Sequence, residues 1–99
     1  MIKLSVIILT YNEEKLIEDC LRSLQSLENK EIFIVDSFSQ DQTLEITKKY
    51  GVNIHQNEFR NYAHQRNWSF SHLPLKGEWI LCLDADERLT PDLDRKSVV

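Results

Sequence analysis

Apolar positions along the chain fall into two patterns that alternate from one end to the other. Residues 4 to 9, "LSVIIL", are almost all apolar or β-branched, as a strand covered on both faces requires. Behind them Leu16, Ile17, Cys20, Leu21, Leu24 and Leu27 recur at three- and four-residue steps. That spacing predicts one apolar stripe on a helix running from an Asn12 cap to about Leu27. "EIFIVD", residues 31 to 36, reads as a second buried strand. "DQTLEITKKYG" predicts a short helix capped by Asp41, with Leu44, Ile46 and Tyr50 inward and Gly51 placed to end it. "VNIH" is a weaker third strand, and "NYAHQRNWSFSHL" a helix with Tyr62, Arg66, Asn67 and Phe70 near one face and Trp68 off that stripe. Lys76-Gly77 turns into a fourth strand, "EWILCLD", and Thr90-Pro91 reads as the cap and first residue of a further helix.

The order β-α-β-α-β-α-β-(α) predicts a single α/β domain over residues 1–99, three-layered and Rossmann-like, with a mostly parallel sheet and right-handed crossovers. Those crossovers most simply give the strand order 3-2-1-4. Ligands of such sheets bind beyond the carboxyl ends of the strands, where strand order reverses. Three polar groups fall on that rim: Thr10-Tyr11-Asn12, Asp36-Ser37 and Asp84-Ala85-Asp86.

Composition narrows the chemistry. A hydrophobic fraction of 41% and a charged fraction of 28% are ordinary for a globular chain, and a net charge of −4 argues against a general affinity for nucleic acid. Residues 84 to 94 hold five acids against one Arg, while Lys48, Lys49, Arg60, Arg66 and Lys76 precede them. That division suits an anionic ligand held partly through a metal, or simply a solvated surface. The only glycines are Gly51 and Gly77, so neither a dinucleotide-binding G-x-G-x-x-G turn nor a Walker loop can be built. Cys20 and Cys82 sit in apolar runs and read as buried free thiols of a reducing cytosol. The N-terminal apolar run is too short for a signal peptide, and no run approaches a membrane-spanning length. His55, His64 and His72 lack ligand spacing and are expected at the surface; Trp68 and Trp79 are expected in the core.

An apolar strand that ends in acids needs a reason. Asp84 and Asp86 can present carboxylates to one pocket, hard oxygen ligands suited to Mg²⁺ or Mn²⁺ shared with substrate phosphates. Each can equally cap the turn that follows. The buried strand before them and the two companion groups on the rim favour the metal. Asp36 can bond a base or ribose or merely terminate its strand, and Arg66 can meet an anionic group or stay on an exposed helix face.

"SVIILTYNEEKLIEDCLRSL", "IFIVDSFSQDQTLEI", "HQRNWSF" and "WILCLDADERLTPDL" together resemble the N-terminal half of a family 2, GT-A fold glycosyltransferase. Within that family the chain is most similar to bacterial enzymes that add sugars to lipopolysaccharide core and related envelope glycans. The resemblance implies a nucleotide-diphosphate sugar donor, a glycan or lipid-linked acceptor, and a divalent cation, Mg²⁺ or Mn²⁺. It implies that Thr10, Tyr11 and Glu13 line the nucleotide pocket and that Asp36 contacts the base. Arg66 would lie near the nucleotide, Asp84 near the ribose, and Asp86 would hold the metal. Family members continue well past the position of Val99, so the acceptor site and the general base are expected outside these residues, and the chain alone is expected to be inactive. It would work in the cytoplasm, in solution or against the inner face of the membrane. A chain of this length with an apolar fourth strand at its edge is expected to self-associate, most simply as a homodimer. Two other readings are a non-catalytic nucleotide-sugar-binding fragment and a haloacid-dehalogenase-type phosphatase. Against the phosphatase, Arg88 stands where its D-x-D-x-T/V motif wants Thr or Val, and the motif follows the fourth strand rather than the first.

Overall fold

The structure is a computed structural model that describes residues 2–85. Asp86, Asp92, Asp94 and the helix expected from Thr90-Pro91 lie outside the described residues. Four parallel strands form one sheet: β1 (Leu4–Thr10), β2 (Lys30–Asp36), β3 (Asn53–Gln56) and β4 (Trp79–Asp84). Their order is β3-β2-β1-β4, as the crossover rule predicts. Three helices connect them: α1 (Ile17–Ser23), α2 (Thr43–Lys48) and α3 (Tyr62–His72).

β1 is central, and its alternation divides the core. Val6 and Ile8 face α1 and α2, joining Ile17, Cys20, Leu21, Leu24, Ile34, Leu81 and Leu83, with Ile46 and Tyr50 packed against the group. Ile7 and Leu9 face the other way, with Phe33, Val35 and Leu73, and Trp68, Leu75 and Ile80 pack against them. The result is three layers. Two successive steps from β1 to β3 keep their helices on one face, while the return to β4 carries α3 across the other. That reversal opens the rim between β1 and β4, the usual position of a ligand crevice. Among the described residues no helix is long and apolar enough to cross a membrane.

Three local expectations are corrected. Asn12 does not cap α1: it adopts a left-handed φ of 51°, and the helix begins only at Ile17 with Leu16 before it. The cause is competition, because the groups that would cap α1 bond across to the β2–α2 loop instead. Asn12 N donates to Ser39 Oγ at 2.8 Å, and Asn12 Oδ1 accepts from Gln40 N at 2.8 Å. α3 turns Gln65 and Ser69 into the protein and leaves Tyr62, Arg66, Asn67 and Phe70 exposed. Trp79, expected in the core, is 54% exposed because it opens the edge strand β4; Trp68 does pack into the second core cluster. His55 and His64 are half-buried and only His72 is exposed, His55 being packed against Phe33 with ring centroids 6.0 Å apart. Neither cysteine is in a disulfide, Cys20 being buried and Cys82 half-buried.

Candidate functional site

The parallel register brings the strand ends level. Asp36 pairs with Thr10 on one side and with Gln56 on the other, and Asp84 pairs with Leu9. Neighbouring strands lie about 4.8 Å apart, so the three polar groups expected on the rim stand side by side.

Asp36 organises the floor. It is fully buried, and its Oδ1 accepts from Thr10 Oγ1 at 2.7 Å and from Ser39 Oγ at 2.5 Å. Its Oδ2 accepts from Ser39 N at 2.8 Å and, more weakly, from Gln56 Nε2 at 3.5 Å. A buried carboxylate is tolerable only with such donors around it. The loop after β2 is drawn tight by these bonds and by Ser37 N donating to Thr10 O at 2.9 Å. The tightness forces Phe38 into a left-handed φ of 59°. A bulky residue there costs about 1–2 kcal/mol, and such strain gathers where a side chain must be aimed. Phe38 is 55% exposed and points its ring at the site.

The loops after β1 and β2 are laced together. Glu13 N donates to Thr43 Oγ1 at 2.8 Å, Glu14 N to Asp41 Oδ2 at 3.2 Å, and Gln42 N to Glu14 Oε2 at 3.3 Å. Above them opens a pocket of about 570 Å³, lined by Leu9, Thr10, Tyr11, Glu13, Ser37, Phe38, Glu58, Phe59, Tyr62 and Asp84. Pockets of this size hold ligands of a few hundred daltons. Four exposed aromatics stand in the lining, Tyr11 after β1, Phe38 after β2, Phe59 after β3 and Tyr62 opening α3, the last two meeting edge to face at 5.2 Å. Asp84 ends β4, and Glu13 after β1 and Glu58 after β3 bring two more acids into the lining, with no Lys or Arg among its described residues. A planar aromatic group suits the aromatic part. An anion bound beside Asp84 is favoured by a cation between them.

Of the residues expected at a site, the structure gathers Thr10, Tyr11, Glu13 and Asp84 in the pocket lining. Asp36 lies beneath the lining with its oxygens already bonded, and Ser37 forms the wall at that point. Arg66 is exposed on α3 and does not line the pocket. Asp86 is outside the described residues, and no group of three or more potential ligands that could hold a metal occurs among the described residues.

Comparison with known proteins agrees with this architecture. The family model described as "Glycosyl transferase family 2" matches residues 5–98. The chain belongs to glycosyltransferase family 2. It is 35% identical over 91 residues to an uncharacterized glycosyltransferase of Rickettsia bellii, covering 92% of this chain and 30% of that protein. Staphylococcus aureus TarS, solved as its residues 1–349 with UDP, superposes with a TM-score of 0.70 at 34% identity, over 88% of this chain and 28% of that one. The mannosyltransferase PcManGT of Pyrobaculum calidifontis, solved with GDP-Man and Mn²⁺, gives a TM-score of 0.73 at 27% identity, over 92% of this chain and 29% of that one. The chain thus spans about a third of the length of the relatives it matches.

Reading the sequence missed Phe38, Glu58, Phe59 and Tyr62 as lining residues. A signal for them exists, since each follows directly on a strand end or opens α3, where an exposed aromatic has little packing reason to stand. Gln65 and Ser69 carried no such signal, because a buried polar pair is invisible to a count of apolar positions.

Proposed function

We propose that this domain binds the nucleotide-diphosphate sugar donor of a glycosyl transfer to an envelope glycan or lipid-linked acceptor. The observation that carries it is one pocket at the strand ends whose described lining joins four exposed aromatics to the Asp84 carboxylate. The base lies among the four aromatics, with Tyr11 against it and Thr10 and Glu13 along the nucleotide. Asp36 fixes this end of the pocket through Thr10 and Ser39, and Arg66 approaches the nucleotide from the rim. The ribose and diphosphate run toward Asp84.

The acidic lining fits a divalent cation. A diphosphate brought beside Asp84 is drawn in by a cation held between the two. Asp84 and Asp86 would hold Mg²⁺ or Mn²⁺, which when bound supplies Lewis-acid stabilisation of the departing nucleoside diphosphate. The protein's own residues do the rest: they stack the base, seat the ribose and keep the loops after β1 and β2 from moving. No residue among these is assigned as the general base. UDP and GDP complexes of TarS and PcManGT support the ligand class. A site in the cytoplasm, where such donors are made, suits the reading.

Calorimetric titration of UDP and GDP in Mn²⁺ tests it. Affinity should fall at least about tenfold when EDTA is added and likewise in Asp86→Ala, the loss of one charge-assisted contact or more. Undiminished affinity in both would remove the metal bridge from the account.

A further inference from the structure

The turn that leads into β4 is tied to β2, across β1, by a relay of hydrogen bonds. Glu31 and Ser5 are register neighbours on β2 and β1; Glu31 is half-buried and Ser5 fully buried. Glu31 Oε2 accepts from Lys76 N at 2.6 Å and from Ser5 Oγ at 2.6 Å, and Ser5 Oγ in turn accepts from Gly77 N at 2.8 Å. A backbone N–H can only donate, so the Ser5 proton points to Glu31 and a lone pair faces Gly77. Hydrogen bonds to a carboxylate are among the stronger ones in proteins. The turn comes this close because residue 77 is glycine: a Cβ there would stand 2.7 Å from Ser5 Oγ.

β4 needs such a tie, because its apolar pattern does not fix its register. A slip of one residue would turn Leu81 and Leu83 to the wrong face. A slip of two would not. Leu81, Leu83 and Ala85 would take the places of Trp79, Leu81 and Leu83 opposite Leu4, Val6 and Ile8, and each place would stay apolar. On the other face Asp84, now level with Leu9, would drop to the place of Cys82 opposite Ile7. Two residues at about 3.3 Å each would carry it roughly 7 Å down the strand. The carboxylate would then leave the pocket that it now lines.

We infer that Glu31 is a positioning residue: through Ser5 it sets the register of β4, and with it the height of Asp84 at the rim. It acts from the far end of the sheet, since Ser5 pairs with Ile80, four residues before Asp84. Its effect on ligand binding rests on the donor reading given above; its effect on register does not.

Two measurements on the full chain test this, each made on the wild type, Glu31→Ala, Ser5→Ala and Glu31→Gln. Cross-strand backbone NOEs in isotope-labelled protein read the register directly. The wild type and Glu31→Gln, whose amide oxygen can accept from both donors, should place Asp84 beside Leu9. Glu31→Ala and Ser5→Ala should add or substitute NOEs that place Asp84 beside Ile7. Calorimetry of UDP in Mn²⁺ and in EDTA reads the consequence. The wild-type gain from Mn²⁺, about tenfold or more, should shrink below about threefold in the two alanine variants and survive in Glu31→Gln. A merely structural relay would lower the unfolding midpoint of the alanine variants and leave their NOEs and Mn²⁺ gain as in the wild type, which overturns the inference. Failure of both alanine variants to fold also overturns it, the relay then supporting the sheet and not its register. A shifted register with an unchanged Mn²⁺ gain would overturn the positioning of Asp84. A wild type whose UDP affinity ignores Mn²⁺ would instead overturn the metal reading beneath, while the NOEs still decide the register.

Discussion

Asp41 shows how much one carboxylate can organise. Its Oδ1 accepts from Thr43 N at 2.9 Å and from the Thr43 hydroxyl, and its Oδ2 accepts from Glu14 N. It was expected to cap α2; it does so from one position before the helix's own cap residue, Gln42, and holds the neighbouring loop as well. Burial pushes this carboxyl up, but the hydrogen bonds from Thr43 and Glu14 outweigh it and hold the group below its ordinary value of 3.8. A carboxylate with a depressed folded pKa stabilises above its unfolded pKa and loses that contribution as pH falls through the folded value. Asp41→Ala should therefore cost about 0.5–1 kcal/mol in urea unfolding near pH 7, the low end of a lost cap for a solvent-screened group. The gap to wild type should close as the pH is taken below about 4. A gap independent of pH would mean that the charge of Asp41 adds nothing.

At the level of elements, β4 is held at its entrance by contacts that leave no room for a side chain. Gly77 N donates to Ser5 Oγ at 2.8 Å, and a Cβ at Gly77 would come within 2.5 Å of Ser5 N and 2.8 Å of Leu4 C, both backbone atoms. Gly51 has open space around it but a φ of 65°. Gly77→Ala should thus cost about 2–3 kcal/mol by forcing β4 from β1, and Gly51→Ala only about 1 kcal/mol, as a pair of denaturant melts would read. Equal costs would show that β4 enters with slack. The same elements mark what the sequence could tell. β1, β2 and β4 were legible because a strand buried on both faces leaves an unbroken apolar run, and the strand order followed from handedness. α1 was drawn four residues too early because Asn12 has two partners to choose from, its own helix and Ser39 with Gln40, and only the second is made. Which face of α3 turns inward was not legible, because its inward residues, Gln65 and Ser69, are polar and its exposed ones include Tyr62 and Phe70. Of the pocket lining, Thr10, Tyr11 and Asp84 were legible from their places at strand ends, and Glu13 only through the family resemblance. Ser37 was seen on the rim, but its bond from Gln65, 28 positions further on, was not.

The whole sheet has two unequal edges among the described residues. β3 is four residues long and polar, with Asn53 and Gln56 exposed, the kind of edge that resists pairing. β4 is six residues long, with Trp79 exposed and Ile80 and Cys82 half-buried. We propose that β4 pairs with a second copy of the chain. At tens of micromolar the 99-residue chain should sediment as a dimer, and Trp79→Lys should return it to monomer. A wild-type monomer would show that the edge is not a pairing surface. The pairing of Leu4 with Trp79 has another consequence, one in time. β1 leaves a ribosome before β4 and must wait for a partner that emerges 75 residues later, as the register from 4 to 79 sets it. At synthesis rates of about 5–20 residues per second, that wait lasts roughly 4–15 seconds. Throughout it Val6, Ile7 and Ile8 have their backbone open on one side, a target for any chaperone that recognises extended apolar segments. Silent codon changes that slow translation between α3 and β4 would lengthen the exposure without altering a single residue of the finished protein.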